Sequence, residues 1–372
     1  MEAVLLLAGK GVRIRPFIGE LPKPLVKIVD KPLLNYSLEK LLENGVRRII
    51  AVVGYASDLI QSYLNILARN LNFEIKIVKQ KNLLGTGDAL KLVYNLIEND
   101  FFLTIYGDLY FDDTVLRRLF YAFNKRKSTY MVVVRKSDVS QYGLVKLKDS
   151  QVKEIIEKPS EQFTSGYVNA GIYLFDKSIF DYLDSIMPSE RGEYEITDAI
   201  NLLASERTLL SIKISERRWI DVGRPWDLLD ANIMELKNRS LYECRYIKRI
   251  SNGVLVIPPV YISENAIIEN NSVIGPYTVI GDSCFIGQGS IIENTVIMDH
   301  VSVGRMVKLK YSLIGSKSII EDHVETKCLL RKEKIVKIDD RTLKLKPRRI
   351  GCMISCEKRI EKGEILEAGF IV

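Results

Sequence analysis

Two rhythms of apolar residues divide this chain. Over the first ~235 residues, short dense runs of Val, Ile, Leu and Phe ("EAVLLLA", "RRIIAVVG", "EIKIVKQ", "FFLTIYGD", "TYMVVVR") alternate with longer amphipathic stretches. The dense runs read as strands covered on both faces. The spacing predicts helices from Pro32 to the stop at Asn44-Gly45, and over Ser57 to Arg69, Thr86 to Asn99 and Asp112 to Lys125. Strand and helix in alternation predict a Rossmann-like α/β domain with a parallel sheet, whose ligands sit beyond the carboxyl ends of the strands. Past Arg135 the pattern becomes strand-rich ("YGLVKL", "VKEIIEK", "YVNAGIYLF"), as expected of a second lobe covering the open end of the sheet.

From about Leu255 the period becomes six. Val256, Ile262, Ile268, Ile274, Ile280, Ile286 and Ile292 form an unbroken aliphatic column. At 47% hydrophobic content, chance gives such a run at about one starting position in two hundred. A second column (Val260, Ala266, Ser272, Thr278, Cys284, Ser290) stays small, and Gly or Glu follows the aliphatic at Glu269, Gly275, Gly281, Gly287 and Glu293. After a five-residue step the column resumes at Ile297, Val303 and Leu309, and after another at Ile314 and Ile320. A large side chain, a tight corner and a small side chain in repetition describe a parallel β-helix with stacked short faces. The predicted organisation is therefore a domain over 1–235, a linker over 236–251, and a β-helix over 252–372 carrying a basic hairpin arm over 327–349.

Charge changes this picture little. The net charge of +7 equals that of the arm alone, "KCLLRKEKIVKIDDRTLKLKPRR", whose centre alternates apolar and basic residues around Asp339-Asp340. One basic arm on an otherwise neutral chain argues against a nucleic-acid footprint. Five scattered cysteines without a C-x-x-C pair point to free thiols in a reducing cytoplasm rather than a metal or disulfide framework. No apolar run approaches the length of a membrane span, and the run at Ala3–Ala8 is too short for a secretory signal.

Candidate chemistry concentrates in the first half. "LAGKGVRIRP…LPKPLVKI" leaves the first strand through Gly9 and Gly11, which let backbone N–H groups approach phosphate oxygens, and supplies Arg13 and Lys23 as cations. A solvated basic loop would look similar. "QKNLLGTGDAL" places Gln80, able to read a pyrimidine through a paired amide donor and acceptor, before Gly85 and Thr86 at a helix start. "LTIYGDLYF" and "RRWIDVGRP" each end a strand with an aspartate, Asp108 and Asp221; converging at the sheet's carboxyl edge, they could hold one Mg²⁺ through oxygen ligands.

Together these segments resemble the sugar-1-phosphate nucleotidyltransferases over residues 1 to about 235, and with the β-helix the uridyltransferase and thymidylyltransferase types that carry hexapeptide repeats. The resemblance implies that Arg13 and Lys23 contact the triphosphate and the transferred phosphoryl group. It implies that Gly9, Gly11, Gln80, Gly85 and Thr86 bind the nucleotide, and that Asp108 and Asp221 bind Mg²⁺. It further implies that Gly143, Glu157, Lys158 and Asn169 bind the sugar phosphate, with Glu195 and Asp198 of "RGEYEITDAI" as weaker candidates or helix caps. The partners so implied are a nucleoside triphosphate and a sugar 1-phosphate, and the β-helix would be left-handed and trimeric. Val12 stands where the family usually has threonine. Two alternatives stay open: an acetyltransferase in the β-helix, and a non-catalytic regulatory subunit. The first is weakened by only two histidines (His300, His323), by Lys310 at the place of the expected base and by Gly275 in place of an arginine. The second is weakened because Gly11, Arg13, Lys23, Asp108 and Asp221 are all present. Nothing distinguishes UTP from dTTP, or glucose from its N-acetylated relative.

Overall fold

The computed structural model describes all residues except 158, 160–164, 190–191, 240–250 and 340. Its contacts form two compact units, Met1–Lys10 with Leu33–Asp221, and Gly11–Pro32 with Val222–Val372.

The first unit is built on one nine-stranded sheet. In chain order its strands are β1 (Glu2–Leu7), β2 (Arg48–Val53), β3 (Glu74–Lys79), β4 (Phe101–Tyr106), β6 (Thr129–Lys136), β7 (Gly143–Lys148), β8 (Gln151–Glu157), β9 (Gly166–Asp176) and β10 (Leu209–Ser215). The short strands β5 (Leu109–Phe111) and β11 (Trp219–Asp221) pair apart from it. The sheet order is β3-β2-β1-β4-β9-β6-β10-β8-β7, with β9 also touching β7. The four strands β3, β2, β1 and β4 are parallel. Strands β1, β2 and β4 are buried as their apolar runs predict, whereas β3, with Glu74, Lys76 and Lys79, is the half-exposed edge strand rather than one covered on both faces. The chain moves from β1 out to β3 and then returns to β4 on the other side of β1. This reversal opens a crevice at the carboxyl ends of β1 and β4, the usual ligand position in such sheets.

The strand-rich stretch after Arg135 forms no separate cover. Strands β7, β8 and β9 run antiparallel to their neighbours and extend the same sheet, making it mixed. Alternation of apolar and polar residues says that one face of a strand is solvated, but not which edge it joins. The helix expected to reach Asn99 spans only Thr86–Lys91, followed by a 3₁₀ turn at Tyr94–Leu96. The other helices fall as predicted, at Leu33–Glu43, Ser57–Leu71 and Asp113–Lys125, the last capped by Asp112 accepting from the Thr114 N–H.

Glu2 opens β1 fully buried. Its Oε1 accepts from the Glu98 N–H (2.8 Å), the Asn99 N–H (2.7 Å) and Asn99 Nδ2 (2.9 Å), while Oε2 meets Arg48 at 3.0 Å. Burial pushes the carboxyl pKa up, but these donors outweigh it and hold it below the ordinary value. A lowered pKa means that the stabilisation is complete above the unfolded-state value and is lost as pH falls through the folded-state value. Glu2→Gln is expected to cost about 3 kcal/mol in urea unfolding at pH 7, because Arg48 and the amides lose their charged partner. The difference from the parent protein should shrink progressively below about pH 4.

The second unit is a stack of three parallel sheets visited in strict rotation, the arrangement of a parallel β-helix. Successive coils pair eighteen residues apart (Leu255 with Val273, Val273 with Ile291) and seventeen apart after the five-residue step (Val279 with Val296, Phe285 with Ser302). The aliphatic column from Ile262 to Ile320 fills the interior. The small column is buried too. Ser272, Thr278, Cys284 and Ser290 each donate to a carbonyl of the next coil (Gly287, Ile292, Met298 and Gly304), so a larger side chain there would cost both space and a hydrogen bond. Burial pushes the Cys284 and Cys352 thiols up to about 12, which keeps them unreactive.

The basic arm is the expected hairpin, with Lys334–Ile338 antiparallel to Arg341–Leu345. It lies back on its own unit: Val336, Ile338 and Leu345 are buried, Lys334 Nζ donates to the Gly369 carbonyl (3.0 Å), and Arg348 meets Asp230 at 2.5 Å. The helix Pro225–Asn238 and the Gly11–Pro32 segment belong to this unit as well. The segment is fastened at four points. The Cys356 N–H donates to the Pro16 carbonyl (2.9 Å), and Lys27 pairs with Asp299 (2.7 Å). Arg239 pairs with Asp30 (2.5 Å), and the Val29 N–H donates to buried Asn232 Oδ1 (2.6 Å).

Candidate active site

Three groups of candidate residues gather at the carboxyl edge of the parallel strands. The first begins where β4 ends. The Gly107 N–H donates to the Leu6 carbonyl (2.9 Å), and a Cβ on Gly107 would lie 2.1 Å from the Leu7 side chain. Only glycine allows this crossing. Asp108 follows, and β5 then pairs antiparallel with β11: Leu109 opposite Asp221, Tyr110 opposite Ile220, Phe111 opposite Trp219. Two aspartates more than a hundred positions apart thus become diagonal neighbours. Trp219 is buried and anchors β11 by donating from Nε1 to the Ala170 carbonyl (2.9 Å).

The chemistry of this pair suits Mg²⁺. Among the described residues no three or more His, Cys, Asp or Glu side chains gather as a metal cage. Magnesium takes one or two carboxylates and leaves its other positions to water and phosphate oxygens, and two aspartates supply that hard oxygen set.

The second group lies beyond β3. Buried Gln80 donates from Nε2 to the Gly85 carbonyl (3.1 Å) and to Asp88 Oδ2 (2.7 Å). Its donor half is therefore engaged, which leaves Oε1, an acceptor, as the amide atom without these bonds, where the sequence suggested a donor–acceptor pair. The reason lies in Asp88, at the end of the same "GTGD". Gly85 has φ +105°, and a Cβ there would stand 2.5 Å from the Tyr194 carbonyl oxygen. Tyr194 braces this loop through its N–H to the Leu84 carbonyl (2.7 Å) and its carbonyl to the Gly87 N–H (2.8 Å). The Ile196 N–H donates to Thr86 Oγ1 (3.1 Å). Of the weaker candidates in this segment, Glu195 occupies the N-cap position of the helix Ile196–Glu206 without a capping side-chain bond. Asp198 sits in its first turn, with its carboxyl pushed up by burial.

The third group lies where β7, β8 and β9 meet. Gly143 pairs with Glu157, and a Cβ on Gly143 would come within 2.9 Å of Glu157 Oε1. Val168 pairs with Leu144, which sets Asn169 beside Gly143. Lys158 lies outside the described residues.

Gly9 is exposed in the first unit. Gly11, Arg13 and Lys23 belong to the second unit. There the Gly11 carbonyl accepts from the Ile14 and Arg15 N–H groups (3.1 and 3.2 Å) at φ +61°, Arg13 is half-buried, and Lys23 is buried in a 3₁₀ turn, Lys23–Leu25. Sequence reasoning missed Tyr106, Tyr173 and Tyr194, which support these groups. The only signal for Tyr106 and Tyr173 is a tyrosine hydroxyl in a strand, which needs a partner once buried; Tyr194 acts through its backbone and carries no signal.

Residues 2–238 match the Nucleotidyl transferase family, and residues 256–367 match the GMPPB C-terminal domain. The chain is 38% identical over 317 residues to the Bifunctional protein GlmU of Methanococcus maripaludis strain C5, covering 84% of this chain and 73% of that protein. It is also 38% identical over 322 residues to a bifunctional sugar-1-phosphate nucleotidylyltransferase/acetyltransferase of Sulfurisphaera tokodaii, covering 85% of this chain and 76% of that protein. Among solved structures, a UDP-glucose pyrophosphorylase complexed with UDP-glucose superposes with a TM-score of 0.57 at 25% identity, over 64% of this chain and 99% of that one.

Proposed function

Because the chain belongs to the nucleotidyl transferase family, we propose that it transfers a nucleotidyl group from UTP or dTTP to a hexose 1-phosphate, of the glucose or N-acetylglucosamine kind, with release of pyrophosphate. The observation that carries this reading is the pairing of Leu109 with Asp221. It sets two carboxylates at the sheet edge that also bears the Gln80–Gly85–Thr86 loop and the Gly143–Glu157–Asn169 corner.

In this reaction an oxygen of the sugar phosphate attacks the α-phosphorus and pyrophosphate leaves in line. One phosphoanhydride forms as another breaks, so the equilibrium lies near balance. The attacking phosphate is already ionised and needs no general base, so the protein's task is alignment and charge stabilisation. Gln80 Oε1 accepts from the base, which fits the imide N–H of uracil or thymine. Glu157, Lys158 and Asn169 hold the sugar phosphate, with Gly143 making room. Arg13 and Lys23 neutralise the triphosphate, and the N–H groups of Gly9 and Gly11 approach it. Asp108 and Asp221 would hold Mg²⁺, which when bound supplies charge neutralisation on the phosphate oxygens. A left-handed β-helix, a homotrimer formed through it and a cytoplasmic setting complete the proposal. Among the described residues no helix is long and apolar enough to cross a membrane.

The test is a pyrophosphate-release panel crossing UTP, dTTP, ATP and GTP with several hexose 1-phosphates. Turnover is expected with UTP or dTTP. Silence across the whole panel would overturn the proposal in favour of a regulatory subunit. Acetyl transfer is a second reading, favoured by the name of the Sulfurisphaera tokodaii relative. Against it, His300 and His323 are exposed at corners with φ +63° and +62°, and Lys310 pairs with Glu293 at 3.0 Å. Thiol release from acetyl-CoA with glucosamine 1-phosphate would establish it.

A further inference from the structure

A directional chain of hydrogen bonds runs through the first unit beneath the third group. Tyr106, two residues before Asp108, bonds the Tyr173 hydroxyl (3.3 Å), and Tyr173 donates to Asn169 Oδ1 (2.8 Å). The same Oδ1 accepts the Gly171 N–H (2.9 Å). A backbone N–H can only donate, so the amide's orientation is fixed: Oδ1 faces Gly171 and Tyr173, and Nδ2 points away from both.

The backbone is shaped for this arrangement. The register of β9 shifts between Asn169 and Tyr173, and Gly171 inside that bulge has φ +69°. A Cβ on Gly171 would lie 2.7 Å from the Tyr106 ring, so glycine is what lets the ring sit there. Bulges of this kind re-aim a side chain. Burial raises the pKa of the Tyr173 hydroxyl, so it stays protonated and keeps donating to Asn169.

We infer that Tyr173 and Tyr106 are positioning residues that lock the Asn169 carboxamide so that it presents N–H donors to the sugar, which must offer a hydrogen-bond acceptor there. The inference rests on the nucleotidyl-transfer reading and deepens it. Asn169 does not choose between donor and acceptor when the sugar arrives; the choice is built into the fold by the Tyr106–Tyr173 pair and the Gly171 N–H.

The test is steady-state kinetics on the full-length protein with its best substrate pair from the panel, for Tyr173→Phe, Tyr106→Phe, Asn169→Asp, Asn169→Ala and the double variant Tyr173→Phe/Asn169→Ala. Removing the hydroxyl that orients the amide is expected to raise KM for the sugar phosphate about 10-fold in Tyr173→Phe and about 3-fold in Tyr106→Phe, with KM for the triphosphate held within about twofold. Asn169→Asp keeps the shape but presents acceptors only, and should lower kcat/KM for the sugar phosphate about 100-fold. The double variant should match Asn169→Ala, because a positioning residue has nothing left to position. An unchanged sugar KM in both tyrosine variants, additive effects in the double variant, or Asn169→Asp as active as the parent would each overturn the inference while leaving nucleotidyl transfer standing. A parent protein silent across the panel would instead remove the underlying reading, and this inference with it. Matched thermal melts exclude misfolding, and Tyr106→Phe, remote from Asn169 itself, serves if Tyr173→Phe fails to fold.

Discussion

Asp108→Asn and Asp221→Asn are each expected to slow nucleotidyl transfer roughly 10²–10³-fold, about 3 to 4 kcal/mol of lost transition-state stabilisation. Each swap is isosteric and leaves the β5–β11 ladder intact, since that ladder is made by backbone groups from Leu109 to Phe111 and Trp219 to Asp221. What changes is charge. A carboxamide is a neutral ligand and a poor one for a hard dication, so the Mg²⁺ concentration for half-maximal rate should rise as kcat falls. Lys23→Ala should cause a loss of similar size without moving the Mg²⁺ dependence. The check is a magnesium titration of pyrophosphate release alongside calorimetric binding of the triphosphate. Near-normal turnover of either asparagine variant at limiting Mg²⁺ would refute the metal role of that residue.

Gly85→Ala is expected to lower kcat/KM for the triphosphate about 100-fold while leaving KM for the sugar phosphate nearly unchanged. Two costs combine. The new Cβ would meet the Tyr194 carbonyl oxygen at 2.5 Å, and the alanine must adopt φ +105° with ψ 178°, a region essentially reserved for glycine that costs about 1–3 kcal/mol. The loop can escape only by moving, and movement releases the Gln80 Nε2 bond to the Gly85 carbonyl (3.1 Å), leaving the amide held by Asp88 alone. Discrimination between UTP or dTTP and CTP should therefore weaken along with affinity, since the Gln80 acceptor is held at the base less firmly. An unaltered base preference in Gly85→Ala would show that Gln80 is not the reader. Gln80→Glu provides the complementary variant, because it removes the donor that ties Gln80 to Asp88.

The sequence by itself determined those features that follow from local periodicity. Runs buried on both faces announce parallel strands, and β1, β2 and β4 stand where such runs lie, while β3 proves a half-exposed edge strand. A six-residue repeat announces stacked coils because each coil must put an aliphatic inward and a small residue at the corner, and Ile262 to Ile320 do so. Even the five-residue steps were meaningful, as the change from eighteen to seventeen residues per coil. Glycines marked places where backbone crosses backbone, and Asp108 and Asp221 could be nominated as strand-end carboxylates before any pairing was known.

Tertiary structure alone decided which distant segments became neighbours. Leu109 opposite Asp221, the joining of β7 to β9 onto one mixed sheet and the bracing of the Gly85 loop by Tyr194 all depend on pairing between segments far apart in sequence, and periodicity carries no partner information. The same holds for Gly11–Pro32. Its glycines and cations read as a phosphate loop of the first domain, yet Asp299, Asn232 and Cys356 fasten it within the unit that holds the β-helix. The direction of the Asn169 amide was the least legible feature of all. It is set by where two tyrosine hydroxyls and one bulged N–H end up, and a hydrogen bond's direction exists only once every partner in its chain is in place.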